Sequence, residues 1–134
     1  MNPREIELMN QDTCRRVVIA DDNDDMRAVL RGHVEGLGAE VSEAANGGDL
    51  AILLVEDDRA IGLLVTDVRM PWATGVQVAL SARNAGLTMP IIVITAFGDD
   101  RLRDQVKRLG TATLLPKPFR AEEFLSLARS YLSA

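Results

Sequence analysis

Asp21 and Asp22 close the apolar run Val17-Val18-Ile19-Ala20, and Asp67 closes Leu63-Leu64-Val65-Thr66. Thr95 closes Ile91-Ile92-Val93-Ile94, and Lys117 follows Leu114-Leu115-Pro116. Carboxylates, a hydroxyl and an ammonium at the ends of apolar runs suit phosphoryl chemistry if the fold brings those ends together. Carboxylates held about 4–5 Å apart repel by roughly 4 kcal/mol per pair at an effective dielectric near 20. A hard divalent cation offsets that repulsion, and one or two carboxylates with water and an incoming phosphate suit Mg2+ better than an all-protein cage. A carboxylate in such a place can attack phosphorus and become an acyl phosphate. An ammonium and a hydroxyl then meet the charge on the equatorial oxygens. Asp67 is the nucleophile candidate because it stands alone between the acid pair on one side and Thr95 and Lys117 on the other.

The runs converge only if they are parallel strands of one open sheet, whose ligands gather at the carboxyl ends. Short β-branched runs alternate with longer amphipathic ones along the chain. Strands are expected over Val17–Asp21, Ala39–Glu43, Gly62–Thr66, Pro90–Thr95 and Ala112–Leu115. Helices are expected over Asp24–Leu37, Asp49–Asp57, Gly75–Asn84, Asp99–Leu109 and Ala121–Leu132. Met26, Val29, Leu30, His33 and Leu37 form the apolar stripe drawn for the first helix, and a packing role is expected for His33. Five βα units with right-handed crossovers give an α/β fold, a single doubly wound (βα)5 parallel sheet of flavodoxin-like order. Leu50-Ala51-Ile52-Leu53-Leu54-Val55 is apolar all round, so the second helix calls for cover on more than one side, from the amino-terminal extension or a partner.

Composition narrows the function classes. The 134 residues fit one domain, with residues 1–15 as a flexible extension and 16–134 as the folded unit. Apolar residues make up 47% and aromatics 4%, so an aliphatic core is expected. A net charge of −5 with scattered basic residues argues against direct nucleic-acid binding. Cys14 is the one cysteine, which fits the cytoplasm, and no apolar stretch approaches membrane-spanning length. A monomer or weak homodimer is expected.

Four stretches together resemble the receiver domains of bacterial two-component response regulators. They are Ile19-Ala20-Asp21-Asp22-Asn23, Thr66-Asp67-Val68-Arg69-Met70-Pro71 with Gly75, Ile94-Thr95-Ala96-Phe97-Gly98-Asp99, and Pro116-Lys117-Pro118-Phe119. The resemblance implies that Asp67 is the phosphoacceptor and that Asp21, Asp22, Asp67 and the backbone carbonyl of Arg69 serve Mg2+, Asp21 through water. It implies that Thr95 and Lys117 contact the phosphoryl group and that Lys117-Pro118 is cis. It also implies a sensor histidine kinase or phosphotransfer protein as donor, and a phosphoacceptor that assists its own phosphorylation and dephosphorylation without being an enzyme. The chain ends soon after the fifth helix, so output through a downstream protein partner is expected.

Two positions depart from the family's pattern. Leu114 stands where receivers usually carry the aromatic that swings inward as the Thr hydroxyl moves, so rerouted switching is expected. Trp72 follows Met70-Pro71 where a small or polar residue is common; it either shields the site, presents a ring to a partner, or packs onto the third helix. Arg69 and Phe97 are expected to line the path of attacking water and so to tune the phosphoryl lifetime. Three rival readings are a receiver-like binding module that is not phosphorylated, a haloacid-dehalogenase-like phosphatase suggested by Asp22-Asn23-Asp24, and a flavodoxin-like cofactor binder. The phosphatase lacks an acidic pair after the lysine and a cap segment. The cofactor binder would set its phosphate against bare acids.

Overall fold

The computed structural model describes residues 16–56, 60–96 and 98–133. The extension 1–15 and Phe97, both singled out above, lie outside the described residues. The strands are β1 (Arg16–Ala20), β2 (Glu40–Ala44), β3 (Leu63–Asp67), β4 (Ile91–Thr95) and β5 (Ala112–Pro116). The helices are α1 (Asp24–Gly36), α2 (Gly47–Glu56), α3 (Gly75–Asn84), α4 (Asp100–Arg108) and α5 (Ala121–Leu132). All pairings are parallel and the order is β2-β1-β3-β4-β5, so the direction of winding reverses between β1 and β3. Ligands of such sheets bind beyond the carboxyl ends at that reversal.

Side chains alternate across the sheet with the two-residue period of a strand. Val17, Ile19, Leu63, Val65, Ile92 and Ile94 pack with Leu30 and Val34 of α1 and Phe124 and Ala128 of α5. Val18, Ala20, Leu64, Ile91 and Val93 pack on the other face with residues of α2, α3 and α4. Strands covered on both faces must be apolar throughout, which is why β1, β3 and β4 read as continuous aliphatic runs. Each fully buried Leu, Ile or Val contributes about 1.5–3 kcal/mol. Among the described residues, no helix is long and apolar enough to cross a membrane.

Boundaries differ from those expected by one or two residues, and the differences have causes. α2 begins at Gly47 rather than Asp49. Two glycines are poor helix formers, so the pattern alone placed the start after them. Asn46 caps the helix instead, its Oδ1 accepting from the Asp49 amide at 2.8 Å. In α1 the buried positions are Leu30 and Val34, while Val29 is 54% exposed. Val29 lies about 100° around the helix from Leu30, off the stripe that faces the sheet. His33 does pack, with its ring 6.1 Å from that of Phe124.

The surface of α2 is only partly covered. Leu50 and Leu54 are buried, whereas Ile52 is 53% and Val55 83% exposed. A shallow groove between α2 and α3 is lined by Ala51, Leu54, Val55, Ala73 and Val78. Farther along, Arg83 joins three segments: Nε donates to the Leu109 carbonyl at 2.6 Å, Nη1 to Leu87 at 3.0 Å and Nη2 to Thr111 at 3.3 Å. One planar guanidinium thereby satisfies carbonyls at the ends of two helical units.

Candidate functional site: an acidic pocket at the carboxyl edge

Four strands, β1, β3, β4 and β5, deliver the polar residues that follow their apolar cores. Ala20 at the end of β1 pairs with Thr66 of β3, which sets Asp21 beside Asp67. Asp67 lies opposite Ile94, one residue before Thr95, and Thr95 lies opposite Pro116, one residue before Lys117. The Lys117 amide donates to the Thr95 carbonyl at 2.7 Å and extends that pairing past the strand end. Carboxylate oxygens of Asp21, Asp22 and Asp67 all lie within 4.8 Å of one another. Lys117 Nζ sits 3.2 Å from Asp67 Oδ2, and the Arg69 amide donates to Asp67 Oδ1 at 3.2 Å. The bond between Lys117 and Pro118 is cis. Thr95 is buried and Asp22 exposed, so the pocket has a closed floor and an open mouth.

Asp21 is the most constrained member. It is fully buried; its amide donates to the Ala44 carbonyl at 3.0 Å and its Oδ1 accepts from the Asn23 amide at 2.9 Å. Its Oδ2 is buried without a hydrogen-bond partner from the protein. Burial holds its carboxyl above the ordinary value, and the negative charges of Asp67 and Asp22 push the same way. The Asn23 amide and Lys117 oppose that rise. An orphaned carboxylate oxygen among like charges is the donor set expected of a divalent-cation pocket, and these residues therefore fit Mg2+.

Gly75 and Thr66 form the floor behind Asp67, and neither was assigned this role from the sequence. Thr66 Oγ1 donates to the Asp67 carbonyl at 3.0 Å. A Cβ on Gly75 would stand 2.1 Å from Thr66 Oγ1 and 2.4 Å from the Asp67 carbonyl oxygen. The start of α3 therefore presses directly on the backbone that carries Asp67, and only glycine permits that approach. Gly75→Ala is expected to lose about 3 kcal/mol, as overpacking against backbone does, measured as a lowered urea midpoint. An unchanged midpoint would contradict the contact. The capping box of Thr74 and Gln77, with Oγ1 at 3.1 Å from the Gln77 amide, fixes the helix entry that creates this pressure.

The loop between β3 and α3 explains Trp72. The Gly47 amide donates to the Pro71 carbonyl at 3.0 Å, and a Cβ on Gly47 would meet Ala73 at 2.4–2.9 Å. Ala73 thus fills the inward side of the loop. Trp72 takes φ 79° and is 88% exposed, so its ring does not pack onto α3. Leu114 is half-buried and packs against the core face shared by α2, α3 and α4. Arg69 is exposed beside the pocket, where a cleft continues past Thr95 toward Asp99 and Arg101.

The profile for the response regulator receiver domain matches residues 17–129. Response regulator MprA of Mycobacterium leprae is 38% identical over 119 residues, covering 87% of this chain and 50% of that protein. Transcriptional regulatory protein FixJ of Azorhizobium caulinodans is 33% identical over 116 residues, covering 87% of this chain and 54% of that protein. The chain thus spans about half the length of these curated relatives. Among solved structures, the receiver domain of hybrid histidine kinase CckA superposes with TM-score 0.73 at 28% identity, covering 87% of this chain and 98% of that one. A CheY-like receiver domain protein from Methanospirillum hungatei gives TM-score 0.80 at 21% identity, covering 89% and 94%. With the profile spanning most of the chain and the acidic pocket at the winding reversal, the chain belongs to the response regulator receiver domain family.

Proposed function

We propose that the chain accepts a phosphoryl group on Asp67 from a sensor histidine kinase or phosphotransfer protein in a Mg2+-dependent transfer, and signals by binding another protein. A receiver domain is a phosphoacceptor rather than an enzyme. The observation that carries the proposal is the position of Asp67, with two further carboxylates within 4.8 Å and Lys117 Nζ at 3.2 Å. Asp21, Asp22, Asp67 and the Arg69 backbone carbonyl are the residues that would hold Mg2+. When bound, the cation supplies charge neutralisation that lets an anionic phosphoryl group approach acids.

The residues divide the work as follows. An Asp67 carboxylate oxygen forms the new O–P bond while the bond from phosphorus to the donor breaks, and the leaving group keeps that electron pair. Lys117 presents its ammonium, and Thr95 its hydroxyl, to the oxygens on which charge accumulates. The product carries roughly −1.5 to −2 charges at pH 7 where the carboxylate carried one, and this larger charge with its three acceptor oxygens biases the surrounding loops between two arrangements. Readout through α4, β5 and α5 is proposed to be rerouted, because Leu114 supplies no ring to swing inward.

The test is incubation with Mg2+ and acetyl phosphate, followed by intact mass. One labile adduct of a single phosphoryl group is expected. No adduct, together with undetectable Mg2+ binding, would leave a receiver-like binding module that is not phosphorylated.

A further inference from the structure

Asp21 and Asp22 lie just past the end of β1, where the sheet no longer dictates the path of the chain. Their geometry depends on whatever holds that turn. The Asp21 amide is tied to Ala44 of β2 and its Oδ1 to the Asn23 amide. The Asp21 carbonyl is held by a side chain from one turn into α1: Arg27 Nη1 donates to it at 2.7 Å. The same guanidinium donates through Nε to Glu43 Oε1 at 3.1 Å and through Nη2 to Asp24 Oδ1 at 2.7 Å. One rigid fork therefore spans the turn, the first helix and the edge strand. Glu43 is itself fixed from a second side by Arg31, which also pairs with Glu35 at 3.0 Å. Arg27 is mostly buried, with 17% of its side chain exposed.

We propose that Arg27 is a positioning residue for the acidic pocket, holding the Asp21 carbonyl so that Asp21 Oδ2 and the neighbouring Asp22 face a divalent cation. This inference rests on the reading of the three carboxylates as a Mg2+ site. A second consequence follows from the same contacts. By pairing with Asp24 and Glu43, Arg27 keeps those two acids turned away from the pocket, so that Asp21, Asp22 and Asp67 are the carboxylates that meet the cation. Lysine cannot replace it, since one ammonium does not reproduce a planar fork with three acceptors in fixed directions.

Positioning and simple charge predict opposite results. Arg27 is a cation near a cation site, so if its charge alone mattered, Arg27→Gln would tighten Mg2+ binding and Arg27→Lys would leave it unchanged. If it positions the turn, Arg27→Lys weakens Mg2+ binding about tenfold although the charge is retained. Isothermal titration of the full chain with Mg2+ reads this difference. Hydrogen exchange in EDTA supplies a reading independent of the metal: amides 21–27 should exchange faster in Arg27→Lys while those of β3 and β4 stay protected. That protection also shows that the variant is folded. Wild-type Mg2+ affinity and wild-type exchange in Arg27→Lys would overturn the role of Arg27 alone. Absence of Mg2+ binding by the unaltered chain would overturn the cation site and this inference with it.

Discussion

Asp67→Asn is expected to take up no phosphoryl group from acetyl phosphate under conditions in which the unaltered chain is labelled to a measurable fraction. The substitution is close to isosteric, and an amide oxygen can still accept from the Arg69 amide, now at 3.2 Å from Asp67 Oδ1. The Thr66 hydroxyl still bonds the backbone carbonyl of the residue. What disappears is the nucleophile, because an amide oxygen is a poor one and neither neighbouring carboxylate is placed to replace it. Asp22 is exposed, and Asp21 is fully buried with its charged form disfavoured by burial. Among the described residues neither pairs with a lysine ammonium, whereas Asp67 has Lys117 at 3.2 Å. Intact mass before and after a hydroxylamine chase checks the outcome. A hydroxylamine-labile adduct of equal yield on Asp67→Asn would place the phosphoacceptor elsewhere.

That expectation was legible because the candidate residue types stand where the sheet ends. Short aliphatic runs of up to four residues can be told from helices by length and, in three of the four, by β-branching, and the polar residues that follow each run mark the carboxyl edge. Asp21, Asp67, Thr95 and Lys117 could be named that way without any knowledge of pairing. Side chains that act on the site from elsewhere carry no such mark. Arg27 looks like one more polar residue on an exposed helix face, and its bond to the Asp21 carbonyl depends on how the turn folds back. Gly75 stands in a stretch where turn glycines are common, and nothing local reveals that the Asp67 backbone lies 2.4 Å from where its Cβ would be. Gly47 and Gly48 hid the start of α2 for a similar reason: the contact with Ala73 that requires Gly47 is long-range. Trp72 was open between burial and exposure because its position depends on which loop residue fills the inward side, and Ala73 does so.

Asp21→Asn is expected to raise the stability of the Mg2+-free protein and to reduce the stabilisation that Mg2+ confers. In the folded chain burial, with Asp67 and Asp22 adding to it, holds the Asp21 carboxyl above its ordinary value. The fold therefore prefers the protonated form. The stability linked to this group is fully present below the ordinary carboxylate pKa and is lost as pH rises through the raised one. Above that raised pKa the ionised Asp21 opposes folding, which is the reverse of a carboxylate held by an arginine. Asparagine keeps the acceptor for the Asn23 amide but removes the charge, so a gain on the order of 1 kcal/mol is expected in EDTA. In the unaltered chain bound Mg2+ would offset the same repulsion, and ligand binding to the folded state adds stability in proportion to the logarithm of its concentration over Kd. Losing one carboxylate of three should weaken that binding by at least about tenfold. Thermal melts of both proteins across pH 4–8, in EDTA and in excess Mg2+, separate the two effects. In EDTA, the contribution of Asp21 makes the parent gain on the variant as pH falls; in Mg2+ near neutrality, the parent should rise more than the variant. A variant that melts below the parent in EDTA and still rises with Mg2+ as the parent does would mean that Asp21 belongs to the packing of β1 rather than to a cation site.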